Sequence, residues 1–123
     1  MILGLGTDIA DMERIERIVR RHEEHFLERV LTPWEIDECD GCISYIAGRW
    51  AAKEALSKAL GCGIGAKCAF TDIEILREPV SGRPVLSLSG VARQTAEALG
   101  VKRNFLSISH ERSYAVATVI LEG

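Results

Sequence analysis

The amino-acid sequence predicts one α+β domain: a small antiparallel sheet with a long central helix and shorter helices. Three observations carry that prediction. Met1-Ile-Leu-Gly-Leu-Gly-Thr-Asp8 reads as a buried strand that ends on an acid. Residues 43 to 60 have a helical pattern that is apolar on two faces, as a central helix requires. The C-terminal half holds two pairs of strand-like runs, each pair joined by a turn signal. A chain of 123 residues, 47% hydrophobic and 27% charged, is long enough for one domain with a real core.

The elements follow in order. Residues 2 to 7 form the strand, with Gly4 and Gly6 where side chains would crowd a neighbour. Asp8 closes it, and a helix is expected from about Ala10 to His22 or beyond. Met12, Ile15, Ile18 and Val19 share one face of that helix, so Arg14, Arg17 and Arg21 point to water. Thr32-Pro33-Trp34-Glu35 marks the next helix start, with Thr32 and Glu35 forming a capping box and Pro33 in the first turn. After Asp40-Gly41 the long helix runs from about Ile43 to Leu60. Gly61-Cys-Gly-Ile-Gly65 stops it, since three glycines in five residues do not sustain a helix. Thr71 to Arg77 and Pro84 to Ser89 flank a turn at Ser81-Gly82-Arg83 and form a hairpin. Ser89 or Gly90 opens a helix to about Leu99, with Gly100 as its stop. Phe105 to Ser109 and Tyr114 to Leu121 flank His110-Glu-Arg-Ser113 as a second hairpin.

Composition narrows the function. No apolar run approaches the roughly 20 residues of a bilayer span, and no membrane role is expected. The N-terminal apolar run lacks a basic lead and meets Asp8 at once, so it is not expected to be a secretory signal. The formal net charge of −3 argues against a nucleic-acid binder. Cys39, Cys42, Cys62 and Cys68 lack the paired spacing of a zinc site and read as reduced thiols of a cytoplasmic protein. The acidic surroundings of Cys39-Asp-Gly-Cys42 are expected to raise a thiol pKa there.

The chemistry gathers on the long helix. On a helical wheel Ile43, Trp50, Glu54 and Gly61 fall within about 20° of one line, with Ser57 and Lys58 flanking it. Ala52, Ala55, Leu56, Ala59 and Leu60 make the second apolar face. Glu54 therefore faces protein, and a buried carboxylate needs a cation. One reading is an exposed i,i+4 pair with Lys58, worth about 0.3–0.5 kcal/mol. The other is a divalent cation shared with Asp8, whose own alternative is a local turn. Two hard oxygen donors without histidine favour Mg²⁺ over zinc, with water and substrate phosphate completing the shell. Gly4-Leu-Gly6 lacks the third glycine of a dinucleotide fingerprint, and Asp8 would repel a pyrophosphate there unless a metal lay between them. His110 shares a strand face with Leu106 and Ile108, either as a structural residue or as a phosphate donor.

Ile2-Leu-Gly-Leu-Gly-Thr-Asp8, Ala47-Gly-Arg-Trp-Ala-Ala-Lys-Glu-Ala55, Ser57-Lys-Ala-Leu-Gly61, Asp72-Ile-Glu-Ile75 and Ser107-Ile-Ser-His110 together resemble the small bacterial class of 4′-phosphopantetheinyl transferases, the holo-[acyl-carrier-protein] synthase family. The resemblance covers nearly the whole chain and implies that family's fold. It also implies transfer of the phosphopantetheine arm from coenzyme A to a serine of apo-acyl carrier protein, in fatty acid biosynthesis. By resemblance Asp8 and Glu54 match the Mg²⁺ ligands, and Lys58 matches the lysine at the coenzyme A pyrophosphate. Arg49, Gly61, Pro84, Ser109 and His110 fall where the nucleotide and its phosphates are lined. Arg14, Arg17 and Arg21 match a basic face that meets the carrier protein, and the family implies a homotrimer with sites between subunits. One departure stands out: Glu35 to Ile46 is acidic or neutral, where family members often carry a basic residue that reaches the neighbour's nucleotide. A coenzyme A or nucleotide sensor without chemistry is the alternative.

Overall fold

β1 is longer than its apolar run. The computed structural model describes residues 1–123, and β1 spans Ile2–Asp11, continuing through Asp8. The reason is a partner distant in sequence: β5 (Tyr114–Glu122) pairs antiparallel with β1, with Asp8 opposite Ala117 and Asp11 opposite Tyr114. Asp8 is thus a mid-strand residue, which corrects the strand-terminal reading. The residue that ends the strand is Asp11. Its carboxylate caps α1 (Met12–Val30) by accepting from the Glu13 N–H at 2.9 Å and the Arg14 N–H at 3.2 Å. α1 is kinked at His22, whose φ of −136° and ψ of 35° are not helical.

α2 (Pro33–Cys39) carries the expected capping box, with Thr32 Oγ1 accepting from the Glu35 N–H and Glu35 from the Thr32 N–H. α3 (Ile43–Ala59) follows, then a single 3₁₀ turn at Phe70–Asp72, so β2 (Ile73–Arg77) starts later than its β-branched run. β3 (Pro84–Leu88) pairs with β2, and α4 (Gly90–Leu99) ends at Gly100 in a left-handed conformation. β4 (Arg103–His110) pairs with β5 as the second expected hairpin. The main sheet has the order β1-β5-β4, and β2-β3 stands as a separate two-stranded ladder.

α3 is the central helix, with Ala51, Ala52, Ala55 and Leu56 fully buried. It lies across the inner face of the main sheet, against Ala115, Ala117, Val119 and Leu121. Gly4 and Gly6 permit the contact: a Cβ at either position would overlap the carbonyl oxygen of Ala59 or Ala55. The outer face is different. Leu5 is 65% exposed and Ile9 61%, with Leu3, Phe105 and Val116 also exposed. No helix is long and apolar enough to cross a membrane.

All four cysteines are unpaired. Cys42 departs from the sequence expectation: hydrogen bonds from Ser44 and from the Tyr45 backbone lower its thiol pKa. It sits at the N-terminus of α3, where the Ser44 hydroxyl and backbone N–H groups favour thiolate more than partial burial opposes it.

Charge is also buried in the core. The Lys53 ammonium, completely inaccessible, donates to Glu35 Oε1 at 2.6 Å and to the carbonyls of Val30 at 2.7 Å and Phe70 at 3.1 Å. Glu35 Oε2 accepts from the Ile75 N–H at 3.0 Å. Burial pulls the Lys53 pKa down and Glu35 opposes the shift. One ion pair thereby joins α2 and α3 to the end of α1 and to β2. Lys53→Met should lower the unfolding free energy by about 3–5 kcal/mol, because it strands a buried carboxylate. Urea denaturation checks this, and a loss under about 1 kcal/mol would show that Glu35 is not isolated from water.

Candidate active site

Asp8 points inward with Gly6 and Ala10, by the alternation of β1, and so faces α3 where the two glycines bring strand and helix close. Lys58 reaches back from α3, and its ammonium donates to Asp8 Oδ1 at 2.9 Å and to the Thr7 carbonyl at 3.1 Å. The i,i+4 partnership with Glu54 does not form. Lys58 pairs with Asp8 instead, leaving Glu54 with no ion-pair partner. Burial raises the Glu54 pKa, the Asp8 carboxylate raises it further, and Lys58 offsets part of the rise. Asp8 and Glu54 therefore feel each other across the strand–helix junction. Two carboxylates and one ammonium leave a local excess of negative charge, which a divalent cation would balance.

The donor set fits Mg²⁺. No group of three or more His, Cys, Asp or Glu side chains gathers in the molecule, so a closed zinc-type cage is absent. Mg²⁺ needs only one or two protein carboxylates when substrate phosphate and water supply the rest. Asp8 and Glu54 are the residues that would hold it.

A second cluster lies toward the opposite edge of the sheet. Arg49, Arg77, Gly82, Pro84, Ile108 and His110 line a cavity of about 210 Å³. Arg49 is only 7% exposed, and its guanidinium stacks 3.9 Å over the Tyr45 ring. Its Nε is buried without a hydrogen-bond partner. No carboxylate lines this cavity, so its chemistry is that of an anion site.

The two clusters are separate within one subunit. Asp8, Ala117 and Ile108 form one cross-strand row, so two strand spacings, about 10 Å, separate Asp8 from Ile108 along the sheet. Among the residues expected to contact the nucleotide, Arg49, Pro84 and His110 come together. Gly61 lines a different cavity of about 390 Å³ beside Cys62, Lys67 and Thr95. Ser109 is exposed and alternates away from His110 toward the outer face. Arg14, Arg17 and Arg21 are exposed on α1 as expected, and none is engaged in an ion pair.

Sequence reasoning missed two parts of the site. Arg77 enters the cavity because the hairpin register sets it directly opposite Pro84, a pairing invisible until the turn is known. An apolar groove of about 410 Å³ also opens beside Glu54, lined by Ile18, Phe26, Trp50, Ile64 and Phe70 with Arg29 and Val30. Trp50 stacks on Phe26 and Phe70 at centroid distances of 5.6 and 5.0 Å. Only packing between α1 and α3 reveals that these distant residues share a wall.

An acid pair with a lysine at one sheet edge and a basic cavity at the other suit an enzyme acting on a phosphorylated co-substrate. Residues 4–119 match the model of the 4′-phosphopantetheinyl transferase superfamily, and the chain belongs to that family. It is 51% identical to the holo-[acyl-carrier-protein] synthase of Vibrio campbellii, over 98% of both chains, and 45% identical to that of Alkalilimnicola ehrlichii, over 99% and 98%. Its structure is similar to holo-[acyl-carrier-protein] synthase from Neisseria meningitidis, with a TM-score of 0.92 at 36% identity and full coverage of both chains. It also resembles the Helicobacter pylori synthase solved in complex with coenzyme A, with a TM-score of 0.87 at 40% identity over 96% and 99%.

The electrostatics of the acid cluster are testable without substrate. Asp8→Asn should lower the Glu54 pKa, and Lys58→Gln should raise it, because the first removes a like charge and the second an opposite one. Carboxyl-carbon NMR titration reads both shifts in metal-free protein. Unchanged Glu54 titration in both variants would mean that the three groups are not coupled.

Proposed function

We propose that this protein transfers the 4′-phosphopantetheine arm of coenzyme A to a serine of apo-acyl carrier protein, giving holo-acyl carrier protein and adenosine 3′,5′-bisphosphate. The observation that carries the reading is the junction of Asp8, Glu54 and Lys58, in a chain whose family and close relatives perform phosphopantetheinyl transfer. A coenzyme A sensor would have no use for a partly buried acid pair beside an apolar groove. Its setting is the cytoplasm, in fatty acid biosynthesis.

Asp8 and Glu54 would hold Mg²⁺, which when bound would supply charge neutralisation to the diphosphate. Lys58, already anchored on Asp8 and the Thr7 carbonyl, lies where an ammonium can stabilise charge on the departing phosphate. The serine oxygen forms a new bond to the phosphorus that carries the pantetheine arm, and the bridging P–O bond to adenosine bisphosphate breaks. The serine proton goes either to a Glu54 carboxylate oxygen or to a water molecule at the acid cluster. The groove of Ile18, Phe26 and Trp50 excludes water from one side of this reaction. Arg14, Arg17 and Arg21 offer an unpaired basic face to the acidic carrier.

The separation of the two clusters supports a site shared between subunits, in a homotrimer. The acid cluster lies at the β1 edge, the basic cavity at the β4 edge, and the outer sheet face exposes Leu5, Ile9 and Phe105. An apolar surface of this kind is the expected seat of a neighbouring copy. In this arrangement one subunit contributes the acids and its neighbour the arginines.

Incubation with apo-acyl carrier protein, coenzyme A and Mg²⁺ tests the function. Mass spectrometry should show a phosphopantetheine adduct with the wild type, and Glu54→Gln should slow its formation by about 100-fold or more with the fold intact. Wild-type activity in Glu54→Gln would remove Glu54 from the mechanism. For the assembly, Leu5→Asp should give monomers by analytical ultracentrifugation and lose transfer activity in parallel. Active monomers would show that one subunit holds a complete site.

A further inference from the structure

Cys39-Asp-Gly-Cys42 takes no part in the transfer chemistry, yet the fold closes it into a dithiol turn. Cys39 is the last residue of α2, and Cys42 stands immediately before Ile43 of α3. Between them Asp40, with φ 46° and ψ 37°, and Gly41, with φ 72°, are both left-handed, as in a type I′ turn. The Cys42 N–H closes the turn by donating to the Cys39 carbonyl at 2.9 Å. Such a turn holds its end Cα atoms within about 7 Å, and a disulfide spans about 4.4–6.8 Å. The backbone thus already brings the two cysteines within disulfide reach. The step left is side-chain rotation: Cys39 Sγ now donates to the Ile36 carbonyl at 3.2 Å, and Cys42 Sγ lies 3.1 Å from Ser44 Oγ.

The two thiols differ as an attacking and a resolving cysteine must. Cys42 is exposed, and the Ser44 hydroxyl and backbone N–H groups at the start of α3 favour its thiolate. Cys39 is 4% exposed, shielded from an oxidant in solvent and placed to act on what forms at Cys42. Asp37, Glu38 and Asp40 are exposed on and beside the turn. They repel an anionic oxidant such as glutathione disulfide, which leaves a small uncharged hydroperoxide as the suitable one. Cys68, by contrast, is fully buried and its thiol is pushed up to about 12 by that burial. We infer that Cys39 and Cys42 form a peroxide-reactive dithiol that closes reversibly to a disulfide between α2 and α3. The Cys42 thiolate attacks one peroxide oxygen, the O–O bond breaks, and the other oxygen leaves as water or alcohol after taking up a proton. Cys42 becomes a sulfenic acid. The Cys39 sulfur then attacks the Cys42 sulfur, the S–S bond forms, the S–O bond breaks, and the hydroxyl leaves with the Cys39 proton as water. Across both steps the thiols give up two electrons and two protons, and the hydroperoxide takes them up.

Glu54 lies about 18 Å along α3 from Cys42, so the test requires no turnover and does not depend on the transferase reading. Hydrogen peroxide is added to the full chain, and tryptic peptides are read by mass spectrometry without reductant. Cys39 and Cys42 fall on one peptide, Val30–Arg49, whereas Cys62 and Cys68 fall on two different ones. The wild-type Val30–Arg49 peptide should become lighter by two hydrogens and be restored by dithiothreitol. Cys42→Ser, which suits an exposed helix cap, should abolish the change with the fold intact. Cys39→Ser should instead hold Cys42 as a sulfenic acid that dimedone captures. Glutathione disulfide at the same concentration should react more slowly than peroxide. An unmodified wild-type peptide, oxidation of Cys42 with Cys39 still free, linkage of Cys62 to Cys68 in its place, or faster reaction with glutathione disulfide would overturn the assignment.

Discussion

Everything in this molecule depends on how closely β1 approaches α3. Two carbonyl oxygens of the helix, those of Ala55 and Ala59, occupy the space where side chains at Gly6 and Gly4 would stand. Because strand side chains alternate, the next inward position along β1 is Asp8, and the close approach sets its carboxylate against the polar edge of α3. A bulkier residue at position 4 or 6 would push the sheet away from the helix. The acid pair would then separate, and Lys58 would lose its anchor on Thr7 and Asp8.

α3 distributes charge in several directions from one rod. Arg49 points to the β4 edge, Lys53 into the core, and Glu54 and Lys58 toward β1. The adjacent Lys53 and Glu54 have unrelated partners because neighbouring helical residues diverge by about 100°. Lys53 finds Glu35, while Glu54 is left with an incompletely compensated charge. The buried ion pair and Glu54 are thus coupled mechanically. Fixing Lys53 against Glu35, Val30 and Phe70 sets the rotation of α3 about its axis, and with it the direction in which Glu54 faces.

The two polar clusters stand at opposite edges of one small sheet. A single subunit offers carboxylates at one edge of a three-stranded sheet and guanidinium groups at the other. Keeping them apart prevents the arginines from simply neutralising Asp8 and Glu54, which would close both sites. An exposed apolar outer sheet face gives neighbouring copies a reason to associate.

Much of this was legible in the residues themselves. The capping box at Thr32 and Glu35, the glycine stop at Gly100, both C-terminal hairpins and the two-faced character of α3 are local, and local chemistry decided them. So did the candidacy of Asp8 and Glu54, since an acid amid apolar neighbours signals a need for a cation. Which cation serves which acid was not legible: Lys58 crossed to Asp8, and Lys53 reached Glu35 eighteen residues earlier. The length of β1, the entry of Arg77 into the basic cavity and the apolar groove at Trp50 likewise came from packing. Spacing along the chain specifies which side chains share a face of one element. Contacts between elements depend on register and crossing, and those are decided only when the whole chain competes for the same buried space.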